Sequence, residues 1–147
     1  MTKPINWQEI QTSCQIFPIG TVHSCFTRRE ECPKQDSESR AGAWLNIDPN
    51  FIDGLDGIEI GTKLILVTWL HEAQRSTLTV HPRANPCSSL RGVFISRSPD
   101  RPNPIGLHRV EVLKMKESNR IYVHPLEVVD GTLIVDIKSV RHRLIDY

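Results

Sequence analysis

The sequence has few of the features that mark several large classes of protein. It has no apolar run near the ~20 residues that a membrane-spanning helix needs, and no basic start followed by an apolar stretch, as in a secretion signal. It lacks the G-x-G-x-x-G and Walker lysine motifs, which excludes a nucleotide held by a Rossmann or P-loop turn. The four cysteines form no CxxC pair, so we expect no metal site and reduced thiols in a cytoplasmic protein.

The net charge is small and aromatic residues are few. The net charge of the 147 residues is +1 and 6% of them are aromatic, so no global basic field points to nucleic acid. Any RNA contact must come from a local patch or from a patch that two subunits form. Residues 91–109 hold four arginines, which fit either such a patch or ordinary solvated charge. Trp7, Trp44 and Trp69 fit core or interface anchors better than base-stacking platforms.

Proline and glycine recur along the chain and helical periodicity is missing, a pattern typical of many short strands. The spacing indicates one mainly all-β domain, either a barrel or a sandwich. Leu64–Leu70 is apolar almost throughout, as in a strand buried on both faces, and Asp130-Gly131 predicts a hairpin turn between the strands that flank it. The predicted strands are Ile16–His23, Trp44–Ile47, Leu64–Leu70, Ser76–Val80, Gly92–Ser96, Leu107–Met115, Arg120–Leu126 and Thr132–Ile137.

The segment Arg97–Leu107, with the sequence RSPDRPNPIGL, carries the most information. Its three prolines each fix φ at about −65° and bias the preceding residue toward extended backbone. The loop is therefore stiff before a ligand arrives, which lowers the entropy cost of binding. Its two guanidinium groups and its amide suit carboxylates, phosphates and base edges. Gly106 allows a close backbone approach or a positive φ. The alternative is a rigid surface turn in which Asp100 pairs with Arg101.

Residues 92–107, GVFISRSPDRPNPIGL, resemble the signature of the TsaA-like (TrmO-type) family. Three further segments resemble family motifs in the same order: the P-x-Q loop at residues 33–35, the GL-x-G turn at 54–58 and the closing DGT and DIK segments at 130–138. The resemblance extends from about residue 16 to 140. Family members are S-adenosylmethionine-dependent methyltransferases that modify the threonylcarbamoyl-adenosine next to the anticodon of certain tRNAs. The resemblance implies the same activity and substrate here.

The resemblance also implies a small, mostly antiparallel β-barrel that forms a homodimer, with the cofactor near the subunit boundary. We expect Arg101, Asn103 and Lys138 to contact the tRNA. The residues expected to hold S-adenosylmethionine lie in four segments: Gln35, Asp36, Ser37 and Glu38; His71 and Glu72; Arg97 and Leu107; and His124, Pro125, Leu126 and Glu127.

The chemistry of the cofactor suggests roles within this set. Arg97 suits its carboxylate, and Glu72 or Glu127 suits its ammonium. Leu107 and Leu126 provide apolar surface for its adenine.

Methyl transfer also requires that a proton leave the substrate nitrogen. Asp136, Asp130 and His71 are the candidate acceptors, and the sequence does not select among them. A structural ion pair between Asp136 and Lys138 is the competing interpretation for Asp136.

The chain departs from the family pattern at several points. The closing segment reads DIKSV, with Ser139 and Val140 where relatives have Pro-Tyr, and Lys63 stands where relatives often have histidine. We expect a single domain over residues 1–147, without the second domain that helps some relatives grip tRNA. Two alternatives follow: a methyltransferase with the same cofactor that acts on a small molecule or another RNA, and a non-catalytic barrel that binds RNA or protein.

Overall fold

The computed structural model describes residues 14–33, 41–82 and 85–140. Its strands are β1 Gly20–His23, β2 Ala43–Ile47, β3 Lys63–Trp69, β4 Thr79–Val80, β5 Arg91–Gly92, β6 Ile105–Lys116, β7 Arg120–His124 and β8 Leu133–Ser139. Six of them close into an antiparallel barrel in the order β1-β2-β7-β6-β3-β8, and β4 pairs with β5 in a separate ribbon. The predicted mainly β fold, a small antiparallel barrel, is confirmed.

The barrel interior is apolar because successive side chains of a strand point to opposite faces. On β2, Ala43, Leu45 and Ile47 point inward and are at most 2% exposed, whereas Trp44 and Asn46 point outward. Burial of each large apolar side chain stabilises the fold by roughly 1.5–3 kcal/mol. The core cluster comprises Val22, Ala43, Leu45, Ile47, Leu64, Leu66, Val110, Val112, Ile121, Val123, Leu126, Val128 and Ile134.

The predicted hairpin around Asp130-Gly131 is wrong. Gly131 has a φ of 81° and makes a turn, but the flanking strands are not neighbours, because β7 pairs with β2 and β6 while β8 pairs with β1 and β3. The hairpin instead joins β6 to β7, in register from Lys116 opposite Arg120. A turn dipeptide specifies a local reversal of the chain and does not choose the partners of each strand in a closed barrel.

Two strand predictions also need correction. The strand predicted at Leu64–Leu70 is not buried on both faces: β3 alternates, with Leu64, Leu66 and Thr68 buried and Ile65 and Val67 half-buried. The strand predicted at Gly92–Ser96 is extended only at its first residue, within β5. Residues 93–95 form a 3-10 turn in which only the first side chain is buried.

The outer surface of the barrel has two faces of different chemistry. The apolar face lies on β8, β3 and the first half of β6, where pairing places the outward residues in three rows: Leu133, Trp69 and Ile105; Asp136, Val67 and Leu107; Lys138, Ile65 and Arg109. The cation–aromatic face lies on β2, β7 and the second half of β6, and its outward residues are Trp44, Asn46, Glu111, Lys114, Lys116, Arg120, Tyr122 and His124.

Helical structure in the described part of the chain consists of short 3-10 turns at Arg29–Glu31, Pro49–Leu55 and Val93–Ile95. The second begins at Asp48, whose side chain accepts the Asn50 amide at 2.9 Å and so caps the turn. No helix among these described residues has the length and apolar character needed to cross a bilayer.

Candidate cofactor and substrate site

The proline-rich loop is held in shape by its own arginine. Arg101 Nε donates to the Ser98 carbonyl at 2.7 Å, and Nη2 donates to the carbonyls of Ser96 and Val93 at 2.6 and 3.1 Å. One half-buried guanidinium therefore donates hydrogen bonds to three carbonyls of the same segment and holds them in one arrangement. The alternative in which Asp100 pairs with Arg101 is wrong, because the Asp100 carboxylate pairs with Arg29, in the loop after β1.

A second arginine fastens the loop to the end of β3. Arg75 Nε donates to the Pro102 carbonyl at 2.7 Å, and Nη2 donates to Asn103 Oδ1 at 3.3 Å. The same guanidinium lies 5.1 Å from the centroid of the Trp69 ring, a cation–π contact. Arg75 thus fixes the side-chain oxygen of Asn103, a predicted substrate contact, within the loop.

The loop ends at Gly106, where β6 runs close to side chains of the barrel interior. A Cβ on Gly106 would lie 2.5 Å from Thr68 Oγ1 and 2.7 Å from His108 Nε2, and these two atoms are hydrogen-bonded at 2.9 Å. Gly106 therefore provides the close approach that the sequence predicted, without a positive φ.

An ion pair joins the proline-rich loop to the loop after β1. Arg29 Nη1 and Nη2 donate to Asp100 Oδ1 and Oδ2, each at 2.8 Å, and the Gln74 amide donates to Oδ1 at 2.8 Å. Burial alone raises the pKa of Asp100, but these bonds outweigh burial and the pKa is lowered. Asp100 therefore stays ionised and holds three loops together.

Two of the predicted cofactor segments meet beside Cys32. Burial, together with the negative charges of Glu127, Glu31 and Glu72, raises the pKa of the Cys32 thiol to about 11. For this, Glu72 and Glu127 must lie close enough to act on one thiol. The end of β3 and the segment after β7 therefore both lie within electrostatic range of Cys32.

The predicted cofactor segment Gln35–Glu38 lies outside the described residues, but the chain on both sides of it is placed. Cys32 and Pro33 come before it. After it, the Ala41 amide donates to Glu127 Oε1 at 2.9 Å, and the Leu126 amide donates to the Ala41 carbonyl at 2.9 Å. The flank after this segment therefore contacts Glu127, and the flank before it ends in Cys32, which feels the charges of Glu72 and Glu127. His71 is exposed beside Glu72, and the peptide between His124 and Pro125 is cis.

The other predicted cofactor residues lie on the apolar face. Arg97 Nη2 donates to the Leu107 carbonyl at 3.1 Å, and Leu107 is 50% exposed. Leu107 and Asp136 flank Val67 in one row. Lys138 Nζ pairs with Asp136 Oδ2 at 2.9 Å, so the ion pair weighed for Asp136 is present. Arg97, Leu107, Asp136 and Lys138 thus share one wall of the barrel.

The second candidate aspartate, Asp130, lies apart from this row. Its Oδ1 accepts the Ser24 amide at 2.9 Å and lies 3.0 Å from His23 Nδ1. The Ser24 amide is the main cause that lowers the pKa of Asp130, with a further contribution from His23. A carboxylate with a lowered pKa is a weaker base.

The sequence matches the family described as the tRNA-methyltransferase O N-terminal domain over residues 21–144. The chain belongs to this family. The match confirms the resemblance that the proline-rich motif indicated, and it covers the whole barrel together with the loops that carry the predicted site.

Individual relatives agree with this assignment. A probable S-adenosyl-L-methionine-binding protein of Methanothermobacter thermautotrophicus is 40% identical over 124 residues, which are 84% of this chain and 88% of that protein. An S-adenosyl-L-methionine-binding protein of Archaeoglobus fulgidus is 41% identical over 84% of this chain and 87% of its own length. The crystal structure of TrmO from Pseudomonas aeruginosa matches 92% of this chain with a TM-score of 0.68 and 26% identity. The chain spans 61% of the length of that TrmO chain.

Sequence reasoning did not find the residues that support this site in the tRNA-methyltransferase O domain. Arg29, Gln74 and Arg75 fix the proline-rich loop, yet none of them lies in a recognisable motif. The available signal was weak: Arg28-Arg29 sits in a polar segment, and Arg75 follows the end of a buried strand. Their partners are 71, 26 and 27 residues away along the chain, so only the fold reveals the contacts.

Proposed function

We propose that this chain binds S-adenosylmethionine and transfers its methyl group to the exocyclic nitrogen of threonylcarbamoyl-adenosine next to the anticodon of tRNA. One observation carries the proposal: the chain belongs to the tRNA-methyltransferase O N-terminal domain family. Two groups of the residues expected to hold the cofactor are described in its barrel: Arg97 with Leu107 at the apolar face, and Glu72 with Glu127 near Cys32. Relatives at about 40% identity that are named as S-adenosylmethionine-binding proteins support the cofactor. With tRNA as substrate, the protein acts in the cytoplasm.

The residues near Cys32 and those at the apolar face differ in chemistry, and each group fits different parts of the cofactor. The pair of carboxylates at Glu72 and Glu127 suits a cation, and we assign the ammonium of the methionine part to it. Arg97 suits the carboxylate of the same part. Exposed Leu107 offers apolar surface for adenine, whereas Leu126 packs in the barrel core and offers none. The ammonium and the carboxylate of the cofactor thereby each have a partner of opposite sign.

We propose that a homodimer joins the two groups into complete sites. The apolar face leaves the side chains of Ile105 and Leu107 40% and 50% exposed on a sheet surface, and contiguous exposed apolar surface marks an interaction site. The face carries charges of both signs, with Asp136 in one row and Lys138 and Arg109 in the next. A twofold interface must be complementary to itself, and this mixture satisfies that requirement. In the dimer, Arg97 and Leu107 of one protomer complete the site that Glu72 and Glu127 of its partner begin.

The mechanism assigns positioning and proton removal to the protein. When bound, S-adenosylmethionine supplies an electrophilic methyl group on a sulfonium. The proline-rich loop, fixed by Arg101, Arg75 and Asp100, holds the substrate nitrogen in line with that methyl before transfer, which lowers the entropic part of the barrier. Closure of the site by the second protomer excludes water that would otherwise compete for the methyl.

Asp136 is the better of the two aspartates as proton acceptor. It lies in the row of Leu107, and its ion pair with Lys138 is largely exposed, at 47% and 67%, so substrate can displace Lys138 from it. In this scheme a nitrogen–carbon bond forms, the sulfur–carbon bond breaks and the nitrogen's proton passes to the carboxylate. Asp130 is held by Ser24 and His23, and its lowered pKa disfavours the same role.

Transfer of an isotopically labelled methyl group tests the proposal. The purified protein is incubated with methyl-deuterated S-adenosylmethionine and tRNA from a strain that lacks the gene, and the digested nucleosides are analysed by mass spectrometry. We expect the label on threonylcarbamoyl-adenosine. Asp136→Asn should lower turnover at unchanged cofactor affinity, while Asp56→Asn, at an exposed turn, should have no effect. If the label appears on another nucleoside, the methyltransferase activity stands and threonylcarbamoyl-adenosine is the wrong substrate. If no RNA carries the label, both the activity on RNA and the substrate are wrong.

A further inference from the structure

The cation–aromatic face presents alternating rings and positive charges. Trp44 and Tyr122 pair directly across β2 and β7, with ring centroids 5.3 Å apart and an angle of 61° between the ring planes. The Arg120 guanidinium lies 5.0 Å from the Trp44 centroid, and Lys114 Nζ lies 5.3 Å from the Tyr122 centroid. The sequence favoured an anchor role for Trp44, but the strand register points it outward, away from the core.

The side chains of this face are held in place before any ligand binds. Arg120 Nε donates to Asn46 Oδ1 at 3.1 Å, which orients its guanidinium over Trp44. A Cβ on Gly42 would lie 2.6 Å from the Tyr122 hydroxyl, so the tyrosine ring rests against the backbone there. Ordered aromatic and guanidinium planes lose little entropy when a flat ligand stacks on them.

The face carries the cations of Lys114, Lys116 and Arg120, and the carboxylate among its outward residues, that of Glu111, lies opposite His124 at the far end of β7. Lys114 and Lys116 are exposed and project from β6 on the same side as Arg120. The Glu117 carboxylate lies at one end of the cation–aromatic face, 4.0 Å from Arg120 Nη1, and is 59% exposed. Beyond it Asp53 and Asp56 line an acidic groove with Met115, and a polyanion is repelled there.

At its other end the face leads to the proposed cofactor site. β7 carries Arg120, Tyr122 and His124 on its outward side, and the next residues are Pro125, Leu126 and Glu127. A strand of nucleic acid that follows the face away from the acidic groove therefore arrives at the site. The apolar face lies on other strands and stays available for the second protomer.

We propose that the cation–aromatic face binds the single-stranded loop of the RNA substrate, with bases stacked on Trp44, Tyr122 and the Arg120 guanidinium and phosphates contacted by Lys114 and Lys116. Aromatic and guanidinium planes recognise unpaired bases, and ammonium groups contact phosphates as point charges. This inference rests on the proposed function and adds the surface that holds the RNA, which the net charge of +1 does not disclose.

Binding of fluorescent RNA by the full chain at several salt concentrations tests the surface. The probes are an RNA stem-loop with an unpaired loop and a blunt RNA duplex of equal length. Lys114→Gln with Lys116→Gln removes two cations from the face, and Arg28→Gln with Arg91→Gln removes two exposed cations elsewhere. We expect the first pair to weaken binding and to reduce the slope of log K against log salt by roughly 1–1.5, since each phosphate contact contributes about 0.7. The second pair should leave both quantities unchanged.

The aromatic part of the inference has its own variants. Tyr122→Leu should weaken stem-loop binding roughly tenfold or more and duplex binding much less, while Tyr122→Phe should bind the stem-loop as the wild type does. S-adenosylmethionine affinity, measured by calorimetry, should be the same in all these variants and shows that they are folded.

The outcomes separate this inference from the proposed function. If the stem-loop binds but the two double variants bind it equally well, the proposed surface is wrong and the tRNA substrate stands. If polyglutamate of matched charge competes as well as the stem-loop, the face is a general anion or protein surface and the inference is overturned. If the wild type binds S-adenosylmethionine but neither RNA, the tRNA substrate and the surface fail together.

Discussion

The Asp100 carboxylate accepts both terminal nitrogens of Arg29 at 2.8 Å each, across 71 residues of sequence. This fork-to-fork geometry is the strongest form of side-chain ion pair. Because the Gln74 amide also donates to Asp100, a single carboxylate connects the loop after β1, the loop after β3 and the proline-rich loop. All three are adjacent to residues of the proposed cofactor site.

Removal of the Asp100 charge should destabilise the protein in a pH-dependent way. Its pKa in the folded protein lies below the ordinary 3.8, so the stabilisation is present above pH ~4 and is lost as the pH falls through the folded value. We expect Asp100→Asn to lower the free energy of unfolding by about 1–3 kcal/mol at pH 7 and by less at pH 3. Denaturant titrations at both pH values measure the difference.

The control for this experiment is Lys138→Gln, which breaks an exposed pair and should change the free energy of unfolding by less than about 0.5 kcal/mol. Equal destabilisation by Asp100→Asn at pH 7 and pH 3 would show that the charge of Asp100 is not what stabilises the fold.

The residues that the sequence could predict are those whose role depends on local chemistry. The proline-rich loop, its rigidity and the close approach at Gly106 follow from residue types and spacing alone. The Arg29–Asp100 pair and the division of the barrel surface into two faces depend on which strands become neighbours. The wrong hairpin at Asp130-Gly131 has the same origin, because closing the barrel places β8 between β1 and β3 and no local signal encodes that choice.

A charge on the apolar face should prevent the proposed dimer. Val67 lies at the centre of the face, between Leu107 and Asp136, and Val67→Glu would bury a carboxylate without a partner. We expect the wild type to sediment as a dimer and Val67→Glu as a monomer without methyltransferase activity. Lys116→Glu, exposed on the cation–aromatic face, is the control and should remain dimeric. A monomeric wild type at micromolar concentration would contradict the proposal.

Complementation between inactive subunits tests whether each site spans the interface. Arg97→Ala and Glu72→Gln should each abolish most activity. If the two residues come from different protomers, a mixed dimer has one site with both native side chains, and co-expression of the two variants should restore roughly a quarter of the activity through twofold symmetry. Co-expressed variants that remain inactive would place Arg97 and Glu72 in the same protomer's site.

Cys32 should be the slow cysteine in alkylation experiments. The thiolate is the reactive form, and a pKa of about 11 leaves very little of it at pH 8. Cys87 is exposed and serves as the internal comparison. Peptide mapping after timed treatment with iodoacetamide should show Cys87 modified well before Cys32, and S-adenosylmethionine should slow Cys32 further if Glu72 and Glu127 bind the ammonium. Faster modification of Cys32 would mean that it lies outside this carboxylate environment.

Calorimetric titration of the wild type and Arg97→Ala with S-adenosylmethionine tests the central claim most directly. We predict one cofactor per subunit in the wild type and an affinity lowered by about 1–3 kcal/mol, roughly fivefold to 150-fold, in the variant, because a charged hydrogen bond to the cofactor carboxylate is lost. Absence of binding heat in the wild type, or an unchanged affinity in Arg97→Ala, would contradict the account.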